Sequence, residues 1–160
     1  MTIKQGDTVP SASFKQLTPA GIVDVTTDAL LGGKKVALFG LPGAYTPVCS
    51  AAHLPGYVEN AAKLRAAGFD AIACVSVNDP FVMDAWGKAT GADDKVMMLA
   101  DAEGAFTKAI GLVLDLPAFG LVGRSERYSM VIEDGVVKKL EIEKSVLDHD
   151  GTSAVCMLAA

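Results

Sequence analysis

A chain of 160 residues with 51% hydrophobic content has the size and apolar content of one compact domain, residues 1–160. Its net charge of −5 and pI of about 4.9 argue against binding a nucleic-acid backbone. No apolar run approaches the roughly 20 residues a membrane helix needs, and the polar start "MTIKQGDTVP" lacks a secretory core, so a cytoplasmic location is expected.

In chain order, "TPAG" (18–21) is a turn signal and predicts a first hairpin before Lys35. "VALFGL" (36–41), flanked by glycines and Pro42, reads as a buried strand. Residues 47–68 carry apolar residues at helical spacing, with Gly68 as a stop and Pro55 as a kink. "AIACVSV" (71–77) is a second buried strand. "NDP" opens a helix running to about Gly91, with Asn78 or Asp79 as its cap and Pro80 at its first position. A strand at 96–100 and a short helix at 101–111 follow. "LPAFGLVGRS" (116–125) reads as an apolar loop. "RYSMVIEDGVVKKLEI" (127–142) is two β-runs around Asp134-Gly135, a hairpin signal. Strand–helix–strand–helix followed by a hairpin predicts an α/β sandwich with a mixed central sheet flanked by helices, in the thioredoxin-like order, although periodicity alone leaves other α/β folds open.

Three cysteines, Cys49, Cys74 and Cys156, stand far apart and in odd number, which is no disulfide scaffold. Without a CxxC pair there is neither a dithiol motif nor a zinc knuckle, and no metal is expected. Cys49 follows a strand end, a Pro-Gly turn and Pro47, which puts it in the first turn of the next helix. Free N–H groups there stabilise negative charge, and cysteines so placed exist partly as reactive thiolate. Thr46, three residues earlier, can bring a hydroxyl to the sulfur or to a bound oxygen. On these residues alone Cys49 remains equally readable as a small buried hydrophobe. His53, four residues on, shares a helical face with Cys49; an isolated metal site there would lack partners, because the only other histidine is His149.

The string "PGAYTPVCS" resembles the active-site signature of the peroxiredoxins, Pro-x-x-x-Thr-x-x-Cys. "AAHLPGY", "IACVSVNDPFVMDAW" and "GRSERYSMVIEDGVVKKL" are similar to the same family in the same order, and in particular to its type-five, plant type-II-like branch. The resemblance implies a thioredoxin fold and thiol-dependent reduction of hydrogen peroxide and organic hydroperoxides, without metal, haem or flavin. It makes Cys49 the peroxidatic cysteine, Thr46 the peroxide-binding hydroxyl and Arg127 the catalytic arginine. Pro42, Gly43 and Val48 become pocket residues and His53 a structural or rim residue. Arg127, taken without the resemblance, reads as a surface ion-pair residue at the hairpin's edge. Arg124 is the weaker arginine, supporting the site or facing solvent.

Attack on a peroxide leaves a sulfenic acid that a second thiol must resolve. Cys74, in a central strand, reads as a packed core thiol. "DGTSAVC" resembles the C-terminal resolving segment of animal-type members, which favours Cys156, with Gly151, Thr152 and Ser153 expected to form a flexible hinge. Other blocks resemble plant and bacterial members that use an external thiol, such as glutaredoxin with glutathione or thioredoxin. The resemblance also implies a homodimer, paired through the turn at Ala44 and Tyr45 and the 116–125 loop. A redox sensor or relay, in which Cys49 passes oxidation to a partner, is the alternative reading; it needs a reactive thiolate but no peroxide pocket.

Overall fold

In the computed structural model, which describes residues 1–159, a seven-stranded sheet carries the molecule. Its strands are β1 (Ser13–Thr18), β2 (Gly21–Thr26), β3 (Lys35–Gly40), β4 (Ala71–Ser76), β5 (Met97–Ala100), β8 (Tyr128–Glu133) and β9 (Val136–Ile142). They lie in the order β2-β1-β5-β4-β3-β8-β9. The centre, β5-β4-β3, is parallel, and β8 joins β3 antiparallel, with Gly40 opposite Tyr128. Both expected hairpins form: β1–β2 closes over Pro19 and Ala20, and β8–β9 over Asp134 and Gly135, both at positive φ as that turn requires. The sheet is the mixed, thioredoxin-like one that the element order predicts.

Period-two alternation divides the core between the two sheet faces. Ala37 and Phe39 of β3 face one cluster with Cys74, Leu54, Tyr57, Leu64, Met83 and Trp86. Val36 and Leu38 face the other, with Phe14, Val75, Phe106, Tyr128 and Met130. Helices α2 (Leu54–Ala66) and α3 (Pro80–Ala89) supply the first layer, and α1 (Thr27–Leu31) and α4 (Ala105–Ala109) contribute Leu30, Leu31 and Phe106 to the second. Asp79, rather than Asn78, caps α3 by accepting from the Val82 N–H, and Pro80 takes the first helical turn. The face carrying Cys49 is thus built before any chemistry is considered.

Two expectations are corrected. The 116–125 segment is no loop: β6 (Val113–Leu116), a 3₁₀ turn at Pro117–Phe119 and β7 (Leu121–Ser125) form a separate two-stranded ribbon. Glycines at positive φ, Gly120 and Gly123, interrupt its alternation and hide the strands. Nor is the tail after Gly151 a loose hinge. Thr152 is fully buried, and Ser153 caps a short helix, α5 (Ala154–Leu158), whose Ala154 and Met157 join the core. The polar residues that suggested mobility make internal hydrogen bonds instead.

At the other end, the N-terminal residues run beside β9. Gly6 N–H donates to Val137 O, Val137 N–H to Asp7 O, and Thr8 pairs with Val136.

Candidate active site

The turn after β3 is held from below. Asn78 Oδ1 accepts from Ala44 N–H at 3.0 Å and from Ser76 Oγ at 2.6 Å, which ties the turn to the end of β4. Tyr45 takes the left-handed conformation, φ 63°, at a cost of about 1–2 kcal/mol for a non-glycine residue. That reversal lets Thr46 close onto Gly43, donating its hydroxyl to the Gly43 carbonyl at 2.7 Å. Helical structure begins at Pro47, and Ser50 N–H reaches back to Thr46 O. Cys49 therefore sits in the first helical turn, as the motif predicts.

The helix then widens. Pro55 has no N–H for the Ala51 carbonyl and its ring crowds it. The chain absorbs this as a π-turn at Cys49–His53, with Leu54 N–H donating to Cys49 O, five residues back. The expected kink is this one-residue bulge, and it sets the relative placement of Cys49 and His53.

Arg127 joins the two. It is 2% exposed, so its reading as a surface residue fails. One terminal nitrogen, Nη2, donates to Cys49 Sγ at 3.1 Å and to Val146 O at 3.1 Å. The other, Nη1, donates to His53 Nδ1 at 2.8 Å. A guanidinium can only donate, so His53 Nδ1 is the acceptor and Nε2 carries the ring proton. Nε2 donates in turn to Thr152 O at 3.2 Å, and Tyr57 Oη donates to the same carbonyl at 2.7 Å. Burial, and then the neighbouring Arg127 charge, lower the His53 pKa to about 3, which keeps the imidazole neutral. His53 is therefore not at the rim; it is 1% exposed and belongs to the support of the arginine.

Beside Arg127 opens a cavity of about 300 Å³, lined by Thr46 and Arg127 as polar groups and by an apolar wall that includes Pro42, Val48, Leu116, Phe119 and Leu147; Cys49 is fully buried behind Arg127 and does not itself line it. Pro42 and Val48 stand in its wall. Gly43 does not line it: its carbonyl holds Thr46, and the Arg124 guanidinium packs over its Cα, where a side chain would crowd it. Sequence reasoning did not place residues 143–152 beside Cys49, reading Gly151 and Thr152 only as a hinge, because nothing in their composition marks them as its neighbours.

The other two cysteines differ. Cys74 is fully buried, and burial followed by the nearby Cys49 charge pushes its thiol well up, leaving it an inert thiol. Cys156 is half-buried on α5, in a separate groove bordered by Ala52, Gly56 and Asn60 of the helical segment after Cys49. Lys139 Nζ donates to its carbonyl at 3.0 Å. Among the described residues no group of three or more metal-ligating side chains forms, and no helix is long and apolar enough to cross a membrane.

Fold and site together define a thioredoxin-fold thiol protein whose one reactive-looking sulfur lies under a buried arginine. The Redoxin family model matches residues 4–155. The chain is 47% identical over 147 residues to "Peroxiredoxin-2E, chloroplastic" of Arabidopsis thaliana, covering 89% of this chain and 63% of that one. With "Peroxiredoxin-2B" of the same plant it shares 43% over 147 residues, 88% of each. A crystal structure of reduced Prx3 in complex with H2O2 from Vibrio vulnificus superposes with a TM-score of 0.93 at 49% identity, covering 99% of this chain and 98% of that one. The chain belongs to the peroxiredoxins, in the branch similar to types II and five. It spans less than two thirds of the length of the first chloroplastic relatives, 63% and 66%.

Proposed function

We propose that the protein is a thiol-dependent peroxidase that reduces hydrogen peroxide and organic hydroperoxides at Cys49. The observation that carries this is Arg127, which donates to Cys49 Sγ and lines, together with Thr46, the cavity beside it. Arg127 is a buried cation whose partners are a neutral imidazole, a carbonyl and a sulfur, an arrangement that favours negative charge on the sulfur. The Thr46 proton is engaged by Gly43 O, which leaves its oxygen free to accept from the peroxide O–H. The thiolate attacks that protonated oxygen and the O–O bond breaks. Its electron pair leaves on the distal oxygen as RO⁻, whose charge the Arg127 cation lining the cavity favours, and a proton gives ROH. The sulfur is left as sulfenic acid, two electrons more oxidised. A second thiol condenses with it, releasing water and forming a disulfide that a thiol reductant opens.

The assay is peroxide consumption with dithiothreitol and no added metal. Cys49→Ser should abolish it; a Cys49→Ser protein as active as its parent refutes the assignment. The second thiol is Cys156 or an external one, glutaredoxin with glutathione or thioredoxin. Cys156 borders a groove that does not include Cys49, and Thr152 anchors the start of α5, so the Cys156 route is expected to proceed through undocking of α5. Peptide mapping after one equivalent of peroxide separates the two: a Cys49–Cys156 link assigns Cys156, and none assigns the external thiol. Homodimer formation belongs to the same proposal. Tyr45, Phe119 and Val122, exposed beside the cavity, supply an apolar surface for it. Sedimentation as a monomer at high micromolar concentration would reject the dimer.

A further inference from the structure

The partners of Arg127 other than the sulfur have a common origin. Val146 O, which accepts from Nη2, lies in the segment after β9. The His53 ring, which accepts from Nη1, is oriented by Thr152 O at the end of that segment. The arginine's own backbone is tied there too, because Glu143 N–H donates to Arg127 O at 3.0 Å. Glu143 then clamps the far end: its Oε1 accepts from Thr152 N–H at 2.8 Å. Glu143 therefore closes a loop of residues around the guanidinium, holding Arg127 with its backbone and Thr152 with its side chain. Leu147 and Val146, inside that loop, also wall the cavity.

We propose that Glu143 is a positioning residue for the peroxide reaction: through Thr152 and His53 it fixes the Arg127 guanidinium over Cys49, so that the docked C-terminal segment is a working part of the site. The inference rests on the reading of Cys49 as the nucleophile. Its physical basis is that the links are hydrogen bonds between buried or half-buried groups; Thr152 N–H is shared between Glu143 Oε1 at 2.8 Å and His149 O at 3.2 Å, and the carboxylate is the shorter tether. Thr152 O takes both Tyr57 and His53 donors; a shift of that carbonyl rotates the imidazole, and the imidazole acceptor is what orients Nη1. A donor misplaced by about 1 Å loses much of its value to charge developing on the leaving oxygen. The arrangement has a second consequence. Any undocking of α5 that carries Thr152 away also loosens the arginine, so a segment released to bring Cys156 toward Cys49 would leave the site unable to bind a second peroxide in productive geometry.

The test uses the full chain. Trp86, the only tryptophan, donates its indole N–H to Ser50 Oγ beside Cys49 and reports oxidation by stopped-flow fluorescence. For Glu143→Ala the second-order rate constant with H2O2 should fall about tenfold. Glu143→Gln, whose amide oxygen still accepts from Thr152 N–H, should stay within about threefold of the parent. The nitrogen NMR signals of the His53 ring supply a readout that a merely structural role leaves alone. They should report one tautomer, Nε2–H, in the parent and in Glu143→Gln, and an averaged ring in Glu143→Ala. Should Glu143→Ala not fold, Tyr57→Phe removes one donor from Thr152 O, keeps the ring stacked on Phe39, and should slow oxidation several-fold. Variants oxidised as fast as the parent, with His53 unchanged, overturn the proposal. A Glu143→Gln protein as slow as Glu143→Ala overturns it as well, since charge and not the hydrogen bond would then be responsible. A parent that shows no Cys49-dependent oxidation would instead refute the peroxidase reading on which the inference stands.

Discussion

Neutral His53 makes the fold sensitive to acid in a way that can be calculated. In the unfolded chain the imidazole has its ordinary pKa of about 6.5. In the fold it is lowered to about 3 by burial and by Arg127. Between these values the unfolded chain binds a proton that the folded chain does not, so stability rises with pH across this window and is lost as pH falls. Going from pH 7 to pH 5 the native state should lose about 2 kcal/mol through this one group. For a chain of this length that is a fall of about 4–8 °C in melting temperature. His53→Gln has no such proton to exclude. Its amide can still accept from Arg127 and donate toward Thr152, so it should melt with a slope against pH that is shallower by that amount, whatever its absolute stability. Every other ionisable side chain is the same in both proteins, so the difference isolates His53. The assay is thermal or urea unfolding of both proteins at half-unit steps from pH 7 to pH 5. Identical slopes would mean that His53 is protonated in the fold, and the assignment of its proton to Nε2 alone would collapse.

Two substitutions test the surroundings. At Gly40 an added methyl would overlap the Tyr128 ring directly across the β3–β8 pair, so Gly40→Ala should destabilise by about 1–3 kcal/mol in urea unfolding, and an unchanged midpoint would contradict the packing described. Cys74→Ala should oxidise at Cys49 within about twofold of the parent rate, because a fully buried thiol kept protonated is no nucleophile; loss of activity in a folded Cys74→Ala protein would reopen its role.

The sequence disclosed what is local. Strands at 36–41 and 71–77 were legible because both faces of a central parallel strand are buried and the run is continuously apolar. The place of Cys49 in a first helical turn was legible because a turn, a proline and a helix start fall within nine residues, while its role and that of Thr46 came from the resemblance. Arg127 was legible only through resemblance; on its own it stood at the mouth of a hairpin, where arginines usually face water. What buries it comes from His53 and from residues 143–152, brought together by the packing of α5 on α2, and no spacing in the chain encodes that meeting. The same limit explains the tail. Gly151, Thr152 and Ser153 have the composition of a hinge, and only the positions of Glu143, His53 and Tyr57 turn their polar groups inward.

The two sides of the sheet end differently. Strand β2 presents its outer edge to solvent, whereas the start of β9 is occupied by Gly6, Asp7 and Thr8. The first residues thus act as a stopper on a strand whose N–H and C=O groups would otherwise be open to recruitment by other chains. Trimming at this end would uncork β9 and invite self-assembly, while the candidate site at the opposite end of that strand, where Glu143 meets Arg127, would be untouched. Light scattering by a chain lacking residues 1–9, set beside its peroxide consumption, is where that separation of solubility from chemistry would be seen.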